Sequence, residues 1–334
     1  MAVRIGFHGF GRIGRNIFRV LHGRRDFDIR CIADVASPES LAYLLHFDSI
    51  YGKFPYEVRQ GEGRLFVDGR AIPVVEGREP GFVSWREHDV DIVVEGTGRY
   101  RARPGLEKHL EAGARRVLLT SPPADDLNTV FCVGINDERI DRTQKIVSNA
   151  SCTSNVLALV VKVLDEAFGV ERASMTTVHA YTNRLRLADV PHHELRRSRA
   201  AAENIIPSPT YSVRVVESIL PNLRGRINGM ALNVPVPDGS VMDLTTLLRA
   251  RVSPGEVNGV IRSVCAGHLK GILEYGDQPL VSSDVVGNPH TGVFDSLTTK
   301  VLGGNLVKTV TWYDTGWGYA NRCVDLLERM ARTL

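Results

Sequence analysis

A cysteine placed directly before an apolar run is the first feature of this sequence that could carry out chemistry. The segment Ser148-Asn149-Ala150-Ser151-Cys152-Thr153-Ser154-Asn155 precedes the apolar stretch Val156–Phe168. Small and hydroxyl side chains favour a helix N-cap, so we expect Cys152 at or near a helix start. The positive end of a helix stabilises a thiolate, the reactive form of cysteine. Cys152 is therefore a candidate nucleophile, with a buried, space-filling cysteine as the alternative.

A histidine ends a β-type run farther along the chain. The run Thr176-Thr177-Val178-His179-Ala180-Tyr181-Thr182 places His179 after residues typical of a strand. An imidazole beside a thiol can accept its proton and activate it for attack. The spacing alone does not bring Cys152 and His179 together, and a histidine satisfied in the core or a loop is the other interpretation.

A glycine-rich turn near the start of the chain has the spacing of a dinucleotide site. The segment Gly9-Phe10-Gly11-Arg12-Ile13-Gly14 follows a predicted strand and opens a predicted helix. Its glycines allow backbone N–H groups to approach a pyrophosphate at the positive end of the helix. Asp34 ends the second predicted strand, where a carboxylate accepts a hydrogen bond from a ribose 2′-hydroxyl and repels a 2′-phosphate. NAD is therefore favoured over NADP, with a strand-end turn residue as the plainer interpretation of Asp34.

The periodicity of the chain supplies elements that would position these residues. The first third alternates short strands with helices, the pattern of a doubly wound parallel sheet; the predicted elements are Val3–Phe7, Ile13–Leu21, Ile29–Ala33, Ile92–Glu95, Pro104–Ala112 and Arg116–Leu119. Thr97 and Ser121 follow two of these strands, where ligands of open α/β sheets bind, although each taken singly is an ordinary turn residue.

After about residue 150 the pattern changes to longer strands rich in Val, Thr and Leu. The predicted elements are a helix at Asn155–Phe168, strands at Ala173–Ala180, Ile227–Val234, Asp243–Arg251 and Val307–Tyr313, and helices at Glu256–Ala266 and Ala320–Met330. Such a succession indicates an α+β domain with a mostly antiparallel sheet. A chain of 334 residues is also longer than one hydrophobic core usually supports, so we expect two domains.

Composition excludes several classes of protein. With 43% hydrophobic and 24% charged residues and a net charge of +3, the chain is an ordinary globular protein, and neither disorder nor a nucleic-acid partner is indicated. The five cysteines are odd in number and widely spread, so we expect no metal site and no disulfide framework. No apolar stretch approaches the roughly 20 residues of a membrane span, and no signal peptide is recognised. We expect a protein of the reducing cytoplasm.

With these residues in place, the chain resembles the glyceraldehyde-3-phosphate dehydrogenases of glycolysis essentially from end to end. The motifs that carry the resemblance are HGFGRIGR, SNASCTSN, TVHAYTN, DVPHHELRRSRAAAENIIP, NGMALNVPVPDGSVMDLT and WYDTGWGYANR. The resemblance implies an α/β fold with an N-terminal Rossmann NAD-binding domain at residues 1–151, completed by a C-terminal helix at 316–334. It also implies an α+β catalytic domain at 152–315 and a homotetramer.

The resemblance further implies roles for individual residues. Cys152 would attack the aldehyde and His179 would act as its base, leaving an acyl thioester that inorganic phosphate converts into an acyl phosphate. The backbone N–H of Cys152 would help to stabilise the oxyanion. The residues expected to contact NAD are Gly9, Phe10, Gly11, Arg12, Ile13, Asp34, Arg78, Thr97, Ser121, Thr315 and Tyr319. Those expected to bind the substrate and phosphate are Ser151, Thr153, Thr182, Arg197 and Thr210, which gives a role to the basic run Arg196-Arg197-Ser198-Arg199.

Several departures from the family pattern fall on the anion-binding side. The usual arginine of the RVP motif is Asn233 here, and an Asp-Gln pair after the histidine is Arg184-Leu185. Because a guanidinium can bind phosphate through two parallel hydrogen bonds, we hypothesise that Arg184 replaces the missing arginine. The Thr-Gly pair of the inorganic-phosphate site is Thr210-Tyr211, and the tyrosine ring is expected to narrow or reshape that site.

Other departures concern the cofactor side. Thr315-Gly316 replaces the Asn-Glu pair before Trp-Gly-Tyr, which alters a contact to the nicotinamide amide although Thr315 can still form a hydrogen bond. His8 stands where the family has asparagine, and Val156 where it has a second, noncatalytic cysteine. Neither of these last two touches the expected chemistry directly.

Three functions remain open at this point. The leading one converts glyceraldehyde 3-phosphate, phosphate and NAD into 1,3-bisphosphoglycerate and NADH. A divergent dehydrogenase would oxidise another aldehyde, such as erythrose 4-phosphate or a nonphosphorylated aldehyde, with phosphate or water as the acyl acceptor. A noncatalytic NAD-binding regulatory protein is the third, and the presence of both Cys152 and His179 argues against it.

Overall fold

The computed structural model describes residues 2–125 and 127–334, with the backbone alone at Leu127. The chain forms two compact units. The first comprises the residues up to Phe131, Asn136–Ala150 and Ala320–Leu334. The second comprises Cys132–Ile135 and Ser151–Tyr319. The short segment Cys132–Ile135 thus packs with the second unit, where a Cβ built on Gly134 would lie 2.8 Å from a methyl carbon of Leu269.

The first unit is built on an eight-stranded sheet. Its strands are β1 (Val3–His8), β2 (Phe27–Asp34), β3 (Val58–Gly61), β4 (Arg64–Val67), β5 (Arg70–Glu76), β6 (Ile92–Glu95), β7 (Arg116–Leu119) and β8 (Ile146–Ser148), and its helices are α1 (Arg12–Leu21), α2 (Pro38–His46) and α3 (Arg103–Glu111). The strand order is β3-β4-β5-β2-β1-β6-β7-β8. From β5 to β8 neighbouring strands are parallel.

Strands β6, β7 and β8 are mainly apolar because they are covered on both faces. Every residue of β6 and β7 is buried, which accounts for their continuous runs of Ile, Val and Leu. The chain leaves β1 toward β2 on one side and later returns to β6 on the other. The carboxyl ends of β1 and β6 therefore form the switch point at which doubly wound sheets bind their ligands.

An antiparallel extension, β3-β4-β5, was not predicted from the sequence. Two tight turns connect its strands, with positive φ at Glu62 and Gly63 and again at Asp68 and Gly69. Paired positive φ angles are characteristic of type I′ turns, for which Asp-Gly is a strong signal. The Asp68-Gly69 signal lies between two apolar runs, Leu65–Val67 and Ala71–Val75, and was overlooked.

The second unit contains a seven-stranded sheet. Its strands are β9 (Val170–Ala180), β10 (Ile206–Ser208), β11 (Ile227–Val234), β12 (Ser240–Leu248), β13 (Leu273–Gly276), β14 (Gly292–Leu302) and β15 (Leu306–Tyr313), and its helices are α4 (Cys152–Phe168), α5 (Ser212–Ile219) and α6 (Pro254–Ala266). The order is β10-β11-β9-β12-β15-β14-β13. Only the β11–β9 and β13–β14 pairs are parallel, which confirms the predicted mostly antiparallel sheet.

The central strand β12 begins and ends earlier than predicted. Its residues alternate between buried and half-buried from Ser240 to Leu248, as expected for a sheet with two different faces. Beyond Leu248 the backbone leaves the ladder, because Arg249 N–H donates to Gly169 O (2.8 Å) and Ala250 N–H to Phe168 O (3.1 Å). The turn after helix α4, rather than a neighbouring strand, therefore fixes this end.

Helix α7 (Trp317–Arg332) ends the chain, and the predicted helix Ala320–Met330 lies within it. Its last turns are held in the first unit by Arg116, which is almost fully buried and donates to Met330 O at 2.8 Å. Arg329 donates to Asp137 at 2.9 Å. Among the described residues, no helix has the length and apolar character needed to cross a membrane.

Candidate active site

Cys152 and His179 face each other within the second unit. Cys152 is the first residue of α4, and His179 is the next-to-last residue of β9. The distance from Cys152 Sγ to His179 Nε2 is 3.7 Å, which is within hydrogen-bonding range for sulfur. The residues that the sequence singled out for nucleophile and base are thus brought together by the packing of one helix start against one strand end.

The protonation of His179 follows from its second ring nitrogen. Nδ1 lies 2.7 Å from the carbonyl oxygen of Ala180, which can only accept a hydrogen bond. The hydrogen of the neutral imidazole is therefore on Nδ1, and the lone pair on Nε2 faces the thiol. This tautomer is the one that can take the proton of Cys152.

A side-chain cap stabilises the start of helix α4. The hydroxyl of Ser151 caps α4 by accepting from Ser154 N–H at 3.1 Å. The residue just before it, Ala150, takes a left-handed backbone conformation with φ of 54°. Such a conformation costs a nonglycine residue on the order of 1–3 kcal/mol, and residues of this kind cluster at functional sites. The strained residue lies two positions before the candidate nucleophile Cys152.

Tyr313 is a part of this site that the sequence reasoning missed. Its buried hydroxyl lies 2.9 Å from Thr153 Oγ1 and 2.7 Å from Thr177 Oγ1, which links the start of α4 to strand β9. Its ring is edge-on to His179, with centroids 6.1 Å apart, and burial raises the pKa of its hydroxyl. The only signal was its place in the WYDTGWGY motif at the end of a predicted strand.

Hydroxyl groups gather where helices α4 and α5 begin. Ser151 Oγ lies 2.7 Å from Ser154 Oγ and 3.4 Å from Ser212 Oγ, and Thr210 Oγ1 accepts from Ser212 N–H at 3.2 Å. Two helix starts lined with hydroxyls are a favourable setting for an anion. Tyr211, expected to narrow this place, is 62% exposed, so most of its side chain lies in solvent.

The remaining anion-site candidates are less closely assembled. The Thr153 hydroxyl is engaged with Tyr313. Asn233, the register partner of His179 in the neighbouring strand, donates its amide to Ser208 Oγ at 2.8 Å. Of the two arginines, Arg184 is exposed in the loop after β9, where its backbone N–H donates to Thr182 Oγ1 at 3.4 Å. The Arg197 guanidinium pairs with the Glu194 carboxylate at 3.1 Å.

The dinucleotide fingerprint forms a close turn in the first unit. Gly9 has φ of 88°, and a Cβ built on it would lie 2.6 Å from the backbone nitrogen of Thr97. A Cβ on Gly14 would lie 2.7 Å from Gly9 O, so α1 begins directly against the turn. A Cβ on Gly11 meets nothing within 4 Å, which leaves open space in front of the helix start. These positions match the packing and access roles of the fingerprint glycines.

The polar groups around this turn fit a dinucleotide. Asp34 accepts from Phe10 N–H at 2.6 Å and from Ala36 N–H at 2.9 Å, one on each oxygen, and each oxygen can accept again from a ribose hydroxyl. Two strands away in the sheet, Ser121 follows β7, and its Oγ is buried with no hydrogen-bond partner among the described residues. The Phe10 side chain packs in the core with Phe7 and Phe18, so Phe10 can contribute only backbone groups.

Other residues expected to contact NAD are more varied. Arg12 and Ile13 open α1, where no side chain caps the helix, whereas the Arg78 side chain is 71% exposed and pairs with Glu76. In the second unit, Thr315 donates its N–H and its hydroxyl to Asp238 Oδ1, both at 2.9 Å, and Tyr319 is buried. Asp238 was not anticipated, and it fixes the residue that replaces the family's asparagine.

The sequence was compared with those of known proteins and protein families. Residues 3–103 match the family model "Glyceraldehyde 3-phosphate dehydrogenase, NAD binding domain", and residues 151–315 match "Glyceraldehyde 3-phosphate dehydrogenase, C-terminal domain". The chain is 46% identical to glyceraldehyde-3-phosphate dehydrogenase of Mycobacterium avium over the full length of both chains. It is 45% identical to that of Geobacillus stearothermophilus and 44% identical to glyceraldehyde-3-phosphate dehydrogenase 1 of Bacillus subtilis, covering 99% of each chain. The chain therefore belongs to the glyceraldehyde-3-phosphate dehydrogenase family of NAD-dependent oxidoreductases.

Proposed function

We propose that the protein oxidises glyceraldehyde 3-phosphate with NAD and inorganic phosphate to 1,3-bisphosphoglycerate, through a thioester on Cys152. The observation that carries the proposal is the 3.7 Å approach of Cys152 Sγ to His179 Nε2, with Nδ1 oriented by Ala180 O. Relatives with 44–46% identity bear the name of this enzyme. Family membership and the thiol–imidazole pair thus support the same reaction.

The residues of the second unit account for each proton transfer. His179 Nε2 accepts the thiol proton as the sulfur forms a bond to the aldehyde carbon, and the imidazolium then returns that proton to the carbonyl oxygen, which gives a hemithioacetal and a neutral His179. The carbonyl oxygen gains negative charge beside the positive end of α4. His179 then takes the proton of the hemithioacetal hydroxyl as the hydride leaves the carbon, and a thioester remains on Cys152. Bound NAD supplies the two-electron acceptor for that hydride.

The second half of the reaction releases the acyl group. An oxygen of inorganic phosphate attacks the thioester carbon, the carbon–sulfur bond breaks, and the Cys152 thiolate takes the proton that His179 holds, which restores the thiol and the neutral imidazole as the acyl phosphate leaves. The hydroxyls of Ser151, Ser212 and Thr210 at the starts of α4 and α5 are suitable donors for that phosphate. Dividing one oxidation into two steps through a covalent intermediate lowers the barrier of each.

A screen of NADH formation tests this proposal. Purified protein is assayed with glyceraldehyde 3-phosphate, erythrose 4-phosphate and unphosphorylated glyceraldehyde, each with and without inorganic phosphate. We expect the highest kcat/KM with glyceraldehyde 3-phosphate and a requirement for inorganic phosphate. Equal rates without phosphate would show that water is the acyl acceptor, and a preference for another aldehyde would replace the proposed substrate.

We further propose that Arg184 binds the phosphate group of the substrate. Asn233 carries no charge and its amide is engaged with Ser208, so the family's usual cation is missing from β11. Arg184 follows His179 in the loop after β9. In Arg184→Ala we expect KM for glyceraldehyde 3-phosphate to rise about tenfold, as for the loss of a charge-assisted hydrogen bond.

The control for Arg184 is the nearby exposed arginine, Arg186, replaced in the same way. Arg186→Ala should leave KM unchanged, and both variants should oxidise unphosphorylated glyceraldehyde as the wild type does. Introducing Asn233→Arg into Arg184→Ala should restore affinity if the charge has moved between the two positions. An unchanged KM for phosphorylated substrate in Arg184→Ala would refute the assignment.

The assembly is proposed to be a homotetramer in a reducing cytoplasm. Leu187, Leu195 and Ile205 are 87%, 82% and 66% exposed, more apolar side chain than one segment of a monomer usually leaves in water. The structure pairs none of the five cysteines in a disulfide, which is compatible with a reducing compartment. Light scattering should give a molar mass four times that of the 36.9-kDa chain, and the mass of a single chain would contradict the tetramer.

A further inference from the structure

Three ionisable side chains meet in the first unit beside the dinucleotide turn. His8 ends β1, Glu95 ends β6, and His109 lies in α3; all three are fully buried. His8 Nδ1 is 2.6 Å from Glu95 Oε2, and His109 Nε2 is 3.1 Å from the same oxygen. His8 and Glu95 are register partners in neighbouring parallel strands. The reaction proposed above uses none of these groups.

The hydrogen on His109 can be placed from its other contact. Trp85 Nε1 lies 3.0 Å from His109 Nδ1, and an indole N–H can only donate. Nδ1 therefore accepts, and the neutral ring carries its hydrogen on Nε2, which donates to Glu95; burial lowers the pKa of His109 and favours this neutral form. A metal ion on Nε2 would drive the hydrogen to Nδ1, against the indole N–H. The cluster is consequently a hydrogen-bond network centred on a carboxylate.

Glu95 is held from several segments of the chain. Besides the two histidines on Oε2, its Oε1 accepts the backbone N–H of Thr97 at 2.9 Å and the Thr97 hydroxyl. Burial alone would raise the pKa of Glu95, but hydrogen bonds from His109, His8 and Thr97 outweigh burial and lower it to about 2. The carboxylate stays ionised and fixes the position of Thr97.

Thr97 in turn packs against the fingerprint turn. A Cβ on Gly9 would lie 2.6 Å from Thr97 N, and one on Gly96 would lie 2.8 Å from Gly9 O. Gly96 N–H also donates to His8 O at 2.8 Å. The backbone after β6 and the turn after β1 are therefore in direct contact, so a displacement of Thr97 would displace Gly9.

We propose that His8 is a positioning residue for the dinucleotide site, because its Nδ1–H holds Glu95 and Glu95 holds Thr97 against the Gly9 turn. Family members usually have asparagine at this position. Asparagine Nδ2 and histidine Nδ1 are both bonded to Cγ, so each can present an N–H at the same place. Compared with asparagine, the imidazole of His8 has one more polar atom, Nε2, which is buried without a hydrogen-bond partner among the described residues. The proposal rests on the use of NAD.

The test compares NAD affinity in four full-length proteins by titration calorimetry: wild type, His8→Ala, His8→Asn and the control His88→Ala, which removes a histidine of the same unit outside the cluster. We expect Kd for NAD to rise about tenfold in His8→Ala, as for loss of a hydrogen bond to a charged group. His8→Asn and His88→Ala should bind as the wild type does. In steady-state assays the KM for NAD should rise in His8→Ala, while kcat and the KM for aldehyde stay unchanged.

A second variant, Glu95→Gln, keeps the side-chain volume and removes the charge, and it should also weaken NAD binding. If His8→Ala does not fold, Glu95→Gln takes its place in the comparison. Unchanged Kd with a lowered kcat would indicate a merely structural role and overturn the proposal. Stoichiometric zinc binding that disappears in His8→Ala would overturn it in favour of a cation site. A wild-type protein that does not bind NAD would remove the dinucleotide function itself and the proposal with it.

Discussion

Replacing Cys152 with serine is expected to abolish NADH formation while the protein still binds NAD. The hydroxyl of serine is far less acidic than a thiol, so the neutral imidazole of His179 at 3.7 Å cannot produce a comparable nucleophile. An oxygen ester would also be a poorer acyl donor to phosphate than a thioester. We expect kcat to fall by roughly 10⁴-fold or more, the scale seen when other enzymes lose their nucleophile. Initial rates of NADH formation measure this loss.

The matched control is Cys265→Ser. Cys265 lies in helix α6, where burial, with a smaller contribution from Glu274, raises the pKa of its thiol to about 12. Its substitution should leave kcat unchanged. Iodoacetamide should inactivate the wild type and Cys265→Ser at equal rates, with one alkyl group per chain found on Cys152. Retention of wild-type rates in Cys152→Ser would end the covalent mechanism.

Features that depend on neighbouring residues in the sequence were predicted well. The fingerprint between Gly9 and Gly14 follows a strand and opens a helix, as its spacing requires. Cys152 opens α4 because Ser151 supplies the cap that small hydroxyl residues before an apolar run indicate. In both places a short segment specifies its own backbone conformation, so the sequence is enough to locate it.

Features that depend on packing between distant segments were not predictable in the same way. The approach of His179 to Cys152 requires β9 to pass the start of α4, and no local pattern specifies that approach; the family resemblance was needed to suggest it. Tyr313 reaches the same place from the end of β15. From the sequence Glu95 was only the last residue of a predicted strand, and the structure shows the histidines that keep it ionised.

The anion-binding side shows the limit of motif reasoning most clearly. The sequence predicted that Tyr211 narrows or reshapes the phosphate site, and its side chain is largely in solvent, so this role stays a prediction. It also predicted Thr153 as an anion ligand, and this too stays a prediction, with the added finding that the Thr153 hydroxyl lies 2.9 Å from that of Tyr313. A motif identifies the position of a residue along the chain, but the direction of its side chain is decided by the elements packed around it.

Replacing His179 with asparagine should lower kcat by about 10²- to 10⁴-fold, the usual contribution of a general base. Asparagine retains a nitrogen bonded to Cγ that can donate to Ala180 O, as Nδ1 does at 2.7 Å. It lacks Nε2, the atom that faces Cys152 Sγ. The variant therefore removes the base while it preserves the hydrogen bond at the end of β9, and kcat for NADH formation is the quantity to measure.

The thiol itself reports whether the imidazole activates it. In His179→Asn, alkylation of Cys152 by iodoacetamide at neutral pH should be at least about tenfold slower than in the wild type, because a smaller fraction of the thiol is ionised. The control His268→Asn removes an exposed histidine of the same unit and should change neither rate. Slow alkylation together with low kcat would follow from loss of the base. Rapid alkylation together with low kcat would instead limit His179 to the hydride-transfer step, and unchanged values of both would contradict its assignment as the base.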